Sequence, residues 1–152
     1  MKRLVSIFFL TLLLVLIEMP LRMGYIPFIE KWINPMQLSA LIGSILYFVF
    51  IWYALHFSKG KVSDWKLLLV AMIAYILPFL AVIIYAGIDN VSLAIPTLCT
   101  QLLSMPFAYF AYTAKQEKVR YLIISLFVLF VVFMTFFFIE NWSAQWLLEH
   151  QR

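Results

Sequence analysis

Two groups of residues in this sequence have the types and spacing to do chemistry inside a membrane. Glu18 and Arg22 are four residues apart, so a helix places them on one face with the acid before the base. Thr97, Gln101 and Ser104 follow helical spacing and form a polar stripe in an apolar segment. A bare carboxamide at membrane depth costs several kcal/mol, so Gln101 must face protein, water or a ligand. We predict that these five residues form a ligand site.

The same residues have a structural interpretation. Gln101 and its neighbours would then form hydrogen bonds between helices, with Pro96 and Pro106 as ordinary kinks. Glu18 and Arg22 would be a structural pair near the outer membrane interface. The ligand hypothesis instead predicts a cavity between the first, third and fourth helices, in the outer half of the bilayer. The polar stripe would line it, and the charged pair would lie near its mouth.

The residue groups that most enzymes need are missing. The sequence has no Gly-rich phosphate loop, HExxH or GxSxG motif. Its single cysteine excludes a CxxC pair, and His56 and His150 are expected on opposite membrane faces, which argues against a two-histidine metal site. We predict no metal, no cofactor and no nucleic-acid partner. The enzymatic alternative is a lipid-modifying activity that uses the outer carboxylates Glu30, Asp89, Glu140 and Glu149.

The elements that position these residues are predicted to be membrane-spanning helices of one all-α domain. Of the 152 residues, 66% are apolar and 12% are charged, against about 45–50% and 25% in soluble domains. The mean hydropathy of +1.02 likewise excludes a cytosolic or secreted enzyme. Five segments have roughly the 20-residue apolar length that crosses a bilayer: 4–23, 38–57, 67–87, 91–113 and 121–139.

The basic residues predict how these spans are oriented. Lys and Arg concentrate in cytoplasmic segments, and in this sequence they concentrate on the side that holds the N-terminus. We therefore predict a multi-pass protein of a cell membrane, of the bacterial cytoplasmic type, with its N-terminus in the cytoplasm and its C-terminus outside. The basic residues on the cytoplasmic side are Lys2, Arg3, Lys59, Lys61, Lys66, Lys115, Lys118 and Arg120.

Two outer segments, 24–37 and 141–152, have amphipathic patterns typical of short helices lying in the membrane interface. The fifth span has neither the small nor the polar residues that join helices in lipid, so we expect it to face lipid or a partner. The second span has two small-xxx-small pairs that favour close helix packing, Ser39/Gly43 and Ala40/Ser44.

The length and the five-span layout resemble the tryptophan-rich sensory protein family, which binds porphyrins and sterols. That family has a Trp-Pro-rich first loop, and Ile26-Pro27-Phe28 does not reproduce it. The resemblance concerns layout alone, so it assigns neither family nor ligand.

Three functions fit these observations. The first is an accessory or partner-binding subunit of a membrane complex, in contact with the lipid bilayer and with another membrane protein or a second copy of itself. The alternative is a binder or transporter of a lipid or other apolar small molecule, acting through the proline-kinked fourth helix. The third is the outer-leaflet lipid-modifying enzyme.

Overall fold

The computed structural model describes residues 1–22 and 34–151, except for the side chains at positions 19–22 and 90. Every regular element in these ranges is helical. A π-helical turn, Met134–Phe138, connects the last two helices. The helices are α1 (Lys2–Arg22), α2 (Pro35–Ser58), α3 (Asp64–Ala86), α4 (Asp89–Ser92), α5 (Ile95–Thr113), α6 (Glu117–Phe133) and α7 (Ile139–His150).

Three helices are long and apolar enough to cross a membrane: α2, α3 and the continuous helix Glu117–His150. The continuous helix has 34 residues and a length of roughly 51 Å at 1.5 Å per residue. The hydrocarbon core of a bilayer is only about 30 Å thick. The helix is therefore longer than one membrane crossing requires.

The structure corrects the predicted fourth and fifth elements. The fourth element is not one helix over 91–113, because α4 ends at Ser92 and α5 begins at Ile95. Pro96 explains the break, since proline has no N–H to donate to Ser92 and its ring crowds that carbonyl. The C-terminal segment is helical, but it continues the helix of the predicted fifth span through the π-helical turn instead of forming a separate helix. The segment 24–37 lies mostly outside the described residues.

The long helices alternate in direction, because the start of α1 bonds to the end of α2 and the start of α2 bonds to the start of α5. Helix α2 contacts α1, α3, α5 and α6. Its contact with α5 is the most extensive in the described part of the chain. Ser39, Ala40, Gly43 and Ser44 are all buried on α2, which confirms that its small residues form a packing face. Because these side chains are short, the backbones of α2 and its neighbours approach closely.

All eight basic residues of the predicted cytoplasmic group lie at one end of the bundle, where α1 begins and α2 ends; we call this the basic end. The opposite end, where α2 begins, is the Pro35 end. Two arginines at the basic end bond to the last carbonyls of neighbouring helices. Arg3 donates to the carbonyl of Phe57, and Arg120 donates to those of Ala111 and Ala114, both at 3.2 Å. These contacts place positive charge at the negative ends of two helix dipoles.

Candidate functional site

Glu18 of α1 lies inside the helix bundle, with only 2% of its surface exposed. Ser39 Oγ donates a hydrogen bond to Glu18 Oε1 at 2.6 Å. Tyr47 Oη donates to Glu18 Oε2 at 3.0 Å, and Gln101 Nε2 also donates to Oε1. The carboxyl group therefore accepts hydrogen bonds from both α2 and α5, although Glu18 itself belongs to α1.

Gln101 connects this carboxyl group to α3. Its Nε2 lies 2.8 Å from the backbone carbonyl of Ser39, which only accepts hydrogen bonds, so this contact fixes the orientation of the amide. Its Oε1 accepts a hydrogen bond from Tyr75 Oη at 2.6 Å. Polar groups from four helices thus form one network. We call it the Glu18 cluster: Glu18, Ser39, Tyr47, Tyr75 and Gln101.

Aromatic rings border the cluster. Tyr47 and Tyr75 pack edge to face with ring centres 5.0 Å apart, and Phe79 lies 5.4 Å from Tyr75. Both tyrosines are buried. A carboxylate attracts a cation and can accept hydrogen bonds from its N–H groups, and the faces of aromatic rings attract a cation as well. The cluster therefore combines two types of group that can hold positive charge.

The lack of a side chain at Gly43 makes the contact between Glu18 and Gln101 sterically possible. A Cβ atom at position 43 would lie 2.5 Å from Glu18 Oε1, and it would overlap the side-chain nitrogen of Gln101. Cβ atoms are essentially never this close to other heavy atoms. The sequence motif that predicted close helix packing therefore also provides the space in which Glu18 and Gln101 meet.

The predicted polar stripe is buried along its length, but its members have different contacts. Thr97 Oγ1 donates to the carbonyl of Met36 on α2 at 3.3 Å. Ser104 Oγ donates to the carbonyl of Gln101 within its own helix. Gln101 alone of these three belongs to the Glu18 cluster, where its Nε2 donates to Glu18.

The helix break also changes the predicted depth of Gln101. It lies six residues, or roughly 9 Å, from the start of α5, whereas an unbroken helix from residue 91 would place it at roughly 15 Å. The side chain of Arg22 lies outside the described residues, so the predicted Glu18–Arg22 pair is not part of the described site.

Ser39, Tyr47 and Tyr75 were not among the predicted site residues. The sequence pattern predicts Ser39 only as a small packing residue. A signal for the tyrosines exists, since both lie well inside apolar segments, whereas tyrosine in membrane proteins is enriched at the interfaces. A buried tyrosine hydroxyl needs a hydrogen-bond partner, and Gln101 and Glu18 are polar residues with that capacity.

The Pro35 end has a second polar contact, between α7 and α4. Trp142 Nε1 donates to the carbonyl of Ser92 at 3.0 Å, and Trp146 Nε1 donates to Ser92 Oγ at 2.9 Å. The carbonyl that Pro96 leaves without its helical partner is therefore bonded by a tryptophan. This contact attaches α7 to the end of α4, just before the polar helix α5 begins.

Within residues 1–22 and 34–151, no group of three or more His, Cys, Asp or Glu residues could hold a metal ion. Comparison with protein-family models, curated proteins and solved structures finds no match to this chain. The assignment of function therefore depends on the geometry of the described residues.

Proposed function

We propose that this chain is a small membrane protein that binds or carries an organic cation, such as an apolar amine, with Glu18 as its counter-charge. The observation that carries the proposal is the burial of Glu18 among polar groups and aromatic rings contributed by other helices. This develops the second of the three sequence-based hypotheses, the small-molecule binder.

A buried carboxyl group that joins helices carries a high free-energy cost. Neutral polar side chains would supply interhelical hydrogen bonds without the free-energy cost of burying an ionisable group. Ionisable residues inside membrane bundles are for this reason hypotheses for functional sites. At this site the Glu18 carboxylate and the rings of Tyr47 and Tyr75 suit a cationic ligand better than an anionic one.

Binding would proceed by exchange of partners. A positively charged group would take the place of the Ser39 and Tyr47 hydroxyls at the carboxylate, while Gln101 keeps its bonds to the Ser39 carbonyl and to Tyr75. Space for the apolar part of the ligand requires α3 to move. Pro78, beside Phe79, leaves the carbonyl of Ala74 without its helical N–H partner, and this weakens α3 next to the cluster.

The test uses two probes of matched shape and opposite charge, tetraphenylphosphonium and tetraphenylborate. Equilibrium dialysis with the full chain in detergent should show preferential binding of the cation. Glu18→Gln keeps the size and hydrogen-bonding capacity of the side chain, and it should weaken cation binding by more than about tenfold. Thr113→Val, at the far end of α5, is the matched control. Equal binding of both probes, or unchanged cation binding by Glu18→Gln, would contradict the proposal.

We further propose that the bundle crosses the membrane five times, with α1 and α5 as additional spans and the basic end in the cytoplasm. The alternating helix directions and the grouping of Lys and Arg at one end support this topology. Reporter fusions after Lys61, Asn90, Lys118 and the C-terminus should report inside, outside, inside and outside. A cytoplasmic C-terminus would contradict it.

A partner-binding subunit is the second candidate, and the length of the continuous helix Glu117–His150 favours it. A helix of roughly 51 Å extends past the hydrocarbon core and offers a rigid surface beyond it. Affinity purification in mild detergent distinguishes the two candidates. A stoichiometric partner that is lost on removal of residues 144–152 supports the subunit, whereas a lone chain that binds the cation supports the carrier.

A further inference from the structure

Two apolar grooves run side by side along the outer surface of α2 at the basic end. One has a volume of about 260 Å³ and lies between α1 and α2, with Arg3 and Ser58 at one end and Phe50 and Leu10 at the other. The second has a volume of about 370 Å³ and lies between α2 and α6, extending from His56 to Phe48.

The grooves match each other in length and position. Each follows α2 over nine residues, from 50 to 58 and from 48 to 56, which is a rise of roughly 12 Å. Tyr53 lines both grooves and is 58% exposed, so its ring forms the ridge between them. Two parallel apolar channels separated by one side chain fit the two acyl chains of a single lipid.

Both grooves end at positive charge. Arg3 lines the first groove, and its bond to the Phe57 carbonyl uses one of the five N–H donors of its guanidinium group. Lys59 and Lys61 follow the groove residue Ser58 closely in the chain and are exposed. Beside the second groove, the guanidinium of Arg120 lies 5.7 Å from the ring centre of Trp52, which lines that groove. Basic pockets between membrane helices are typical binding sites for anionic lipid headgroups.

We propose that these grooves bind one anionic phospholipid, with its acyl chains on either side of Tyr53 and its phosphate at Arg3, Lys59 and Lys61. The charge complementarity selects an anionic lipid over a zwitterionic one, because only the anionic headgroup brings a net negative charge to these cations at the water boundary. The site lies on the outside of the bundle and is separate from the Glu18 cluster. Its occupancy therefore does not depend on cation binding at Glu18.

The experiment measures quenching of Trp52, which lines the second groove. The full chain is reconstituted in phosphatidylcholine vesicles that contain a small fraction of dibrominated phosphatidylglycerol or dibrominated phosphatidylcholine. The Trp52 signal is the difference between the wild-type protein and Trp52→Phe. The quenching of Trp52 should indicate that the anionic lipid binds at least about fivefold more strongly than phosphatidylcholine. Fivefold is the factor that one basic residue near an anionic surface provides.

Charge and shape variants separate a defined site from general surface attraction. Arg3→Gln and Lys61→Gln should each lower the preference about fivefold. Lys66→Gln is the matched control, because Lys66 is exposed at the same end on α3, which lines neither groove. Ser6→Phe introduces a ring at an exposed position of the first groove and should reduce anionic-lipid quenching with no loss of charge.

Three results would overturn the proposal. The first is the absence of any preference in the wild-type protein. The second is an equal loss in Lys66→Gln and Lys61→Gln, which would indicate attraction to the whole basic end. The third is protection of Trp52 from both brominated lipids together with a cross-linked dimer, which would show that a second copy of the chain covers the grooves.

Discussion

The Glu18 cluster and the grooves around Tyr53 use polar chemistry in opposite ways. In the cluster, short contacts from several helices surround a buried carboxyl group, and each partner depends on the position of the others. At the grooves, exposed apolar surface lies beside long, solvated basic side chains. The first arrangement requires accurate packing, whereas the second requires only surface area and charge. Substitutions should therefore change stability strongly in the cluster and weakly at the basic end.

Gly43→Ala should have the largest effect. The added Cβ would overlap Gln101 and Glu18, so either the hydrogen bonds break or α2 moves away from α5. Overpacking of this kind should lower the free energy of unfolding by about 3 kcal/mol. Denaturant unfolding in detergent, followed by circular dichroism, measures it. Ser44→Ala is the control, because Ser44 Oγ is buried without a hydrogen-bond partner in the described structure. Equal effects of the two substitutions would show that Gly43 has no special role.

Gln101→Leu should come next, with a loss of about 2 kcal/mol. It removes the amide that bonds to Glu18, to the Ser39 carbonyl and to the Tyr75 hydroxyl inside the bundle. The same unfolding assay measures the stability, and dialysis with tetraphenylphosphonium measures the function. A stability loss with unchanged cation binding would favour the purely structural interpretation of the polar stripe.

Arg120→Gln sharpens the comparison from the other end of the bundle. Arg120 bonds to two carbonyls at the end of α5, and its loss should cost about 1 kcal/mol. Hydrogen exchange should become faster in the last turn of α5, with no change around Gln101. Faster exchange at Gln101 would show that the two regions are coupled.

The smallest effect is expected for Lys61→Gln, because Lys61 is exposed and its side chain has no hydrogen bond within the described residues. The free energy of unfolding should change by less than about 0.5 kcal/mol. The substitution should still reduce the preference for anionic lipid. A large loss of stability would remove the distinction drawn between the two regions.

The helices were predictable from the sequence where the local signal is strong. Long apolar segments predict α2 and α3, and the spacing of Thr97, Gln101 and Ser104 correctly predicts that their shared face is buried. Spacing does not determine partners, however. Ser104 bonds within its own helix, and Gln101 instead reaches α1, α2 and α3.

Other features depend on contacts between distant residues. Pro96 indicates a kink, but only the tryptophans of α7 show how the freed Ser92 carbonyl is bonded. The π-helical turn lies in a run of phenylalanines that contains no local signal for it. The depth of Tyr47 and Tyr75 in apolar segments indicates that each needs a hydrogen-bond partner, but only the tertiary structure shows that the partners are Glu18 and Gln101.

The π-helical turn determines which face of the longest helix remains buried. Phe127, Val131, Thr135, Ile139 and Ser143 recur every fourth residue, and all are buried. In a regular α-helix each such step would rotate the side chain by about 40°, so the series would wind around the helix. The wider turn at Met134–Phe138 counteracts that rotation by accommodating roughly one extra residue. A single-residue deletion within this turn can therefore be absorbed as ordinary α-helix, which makes it a position where the length of this helix can vary during evolution.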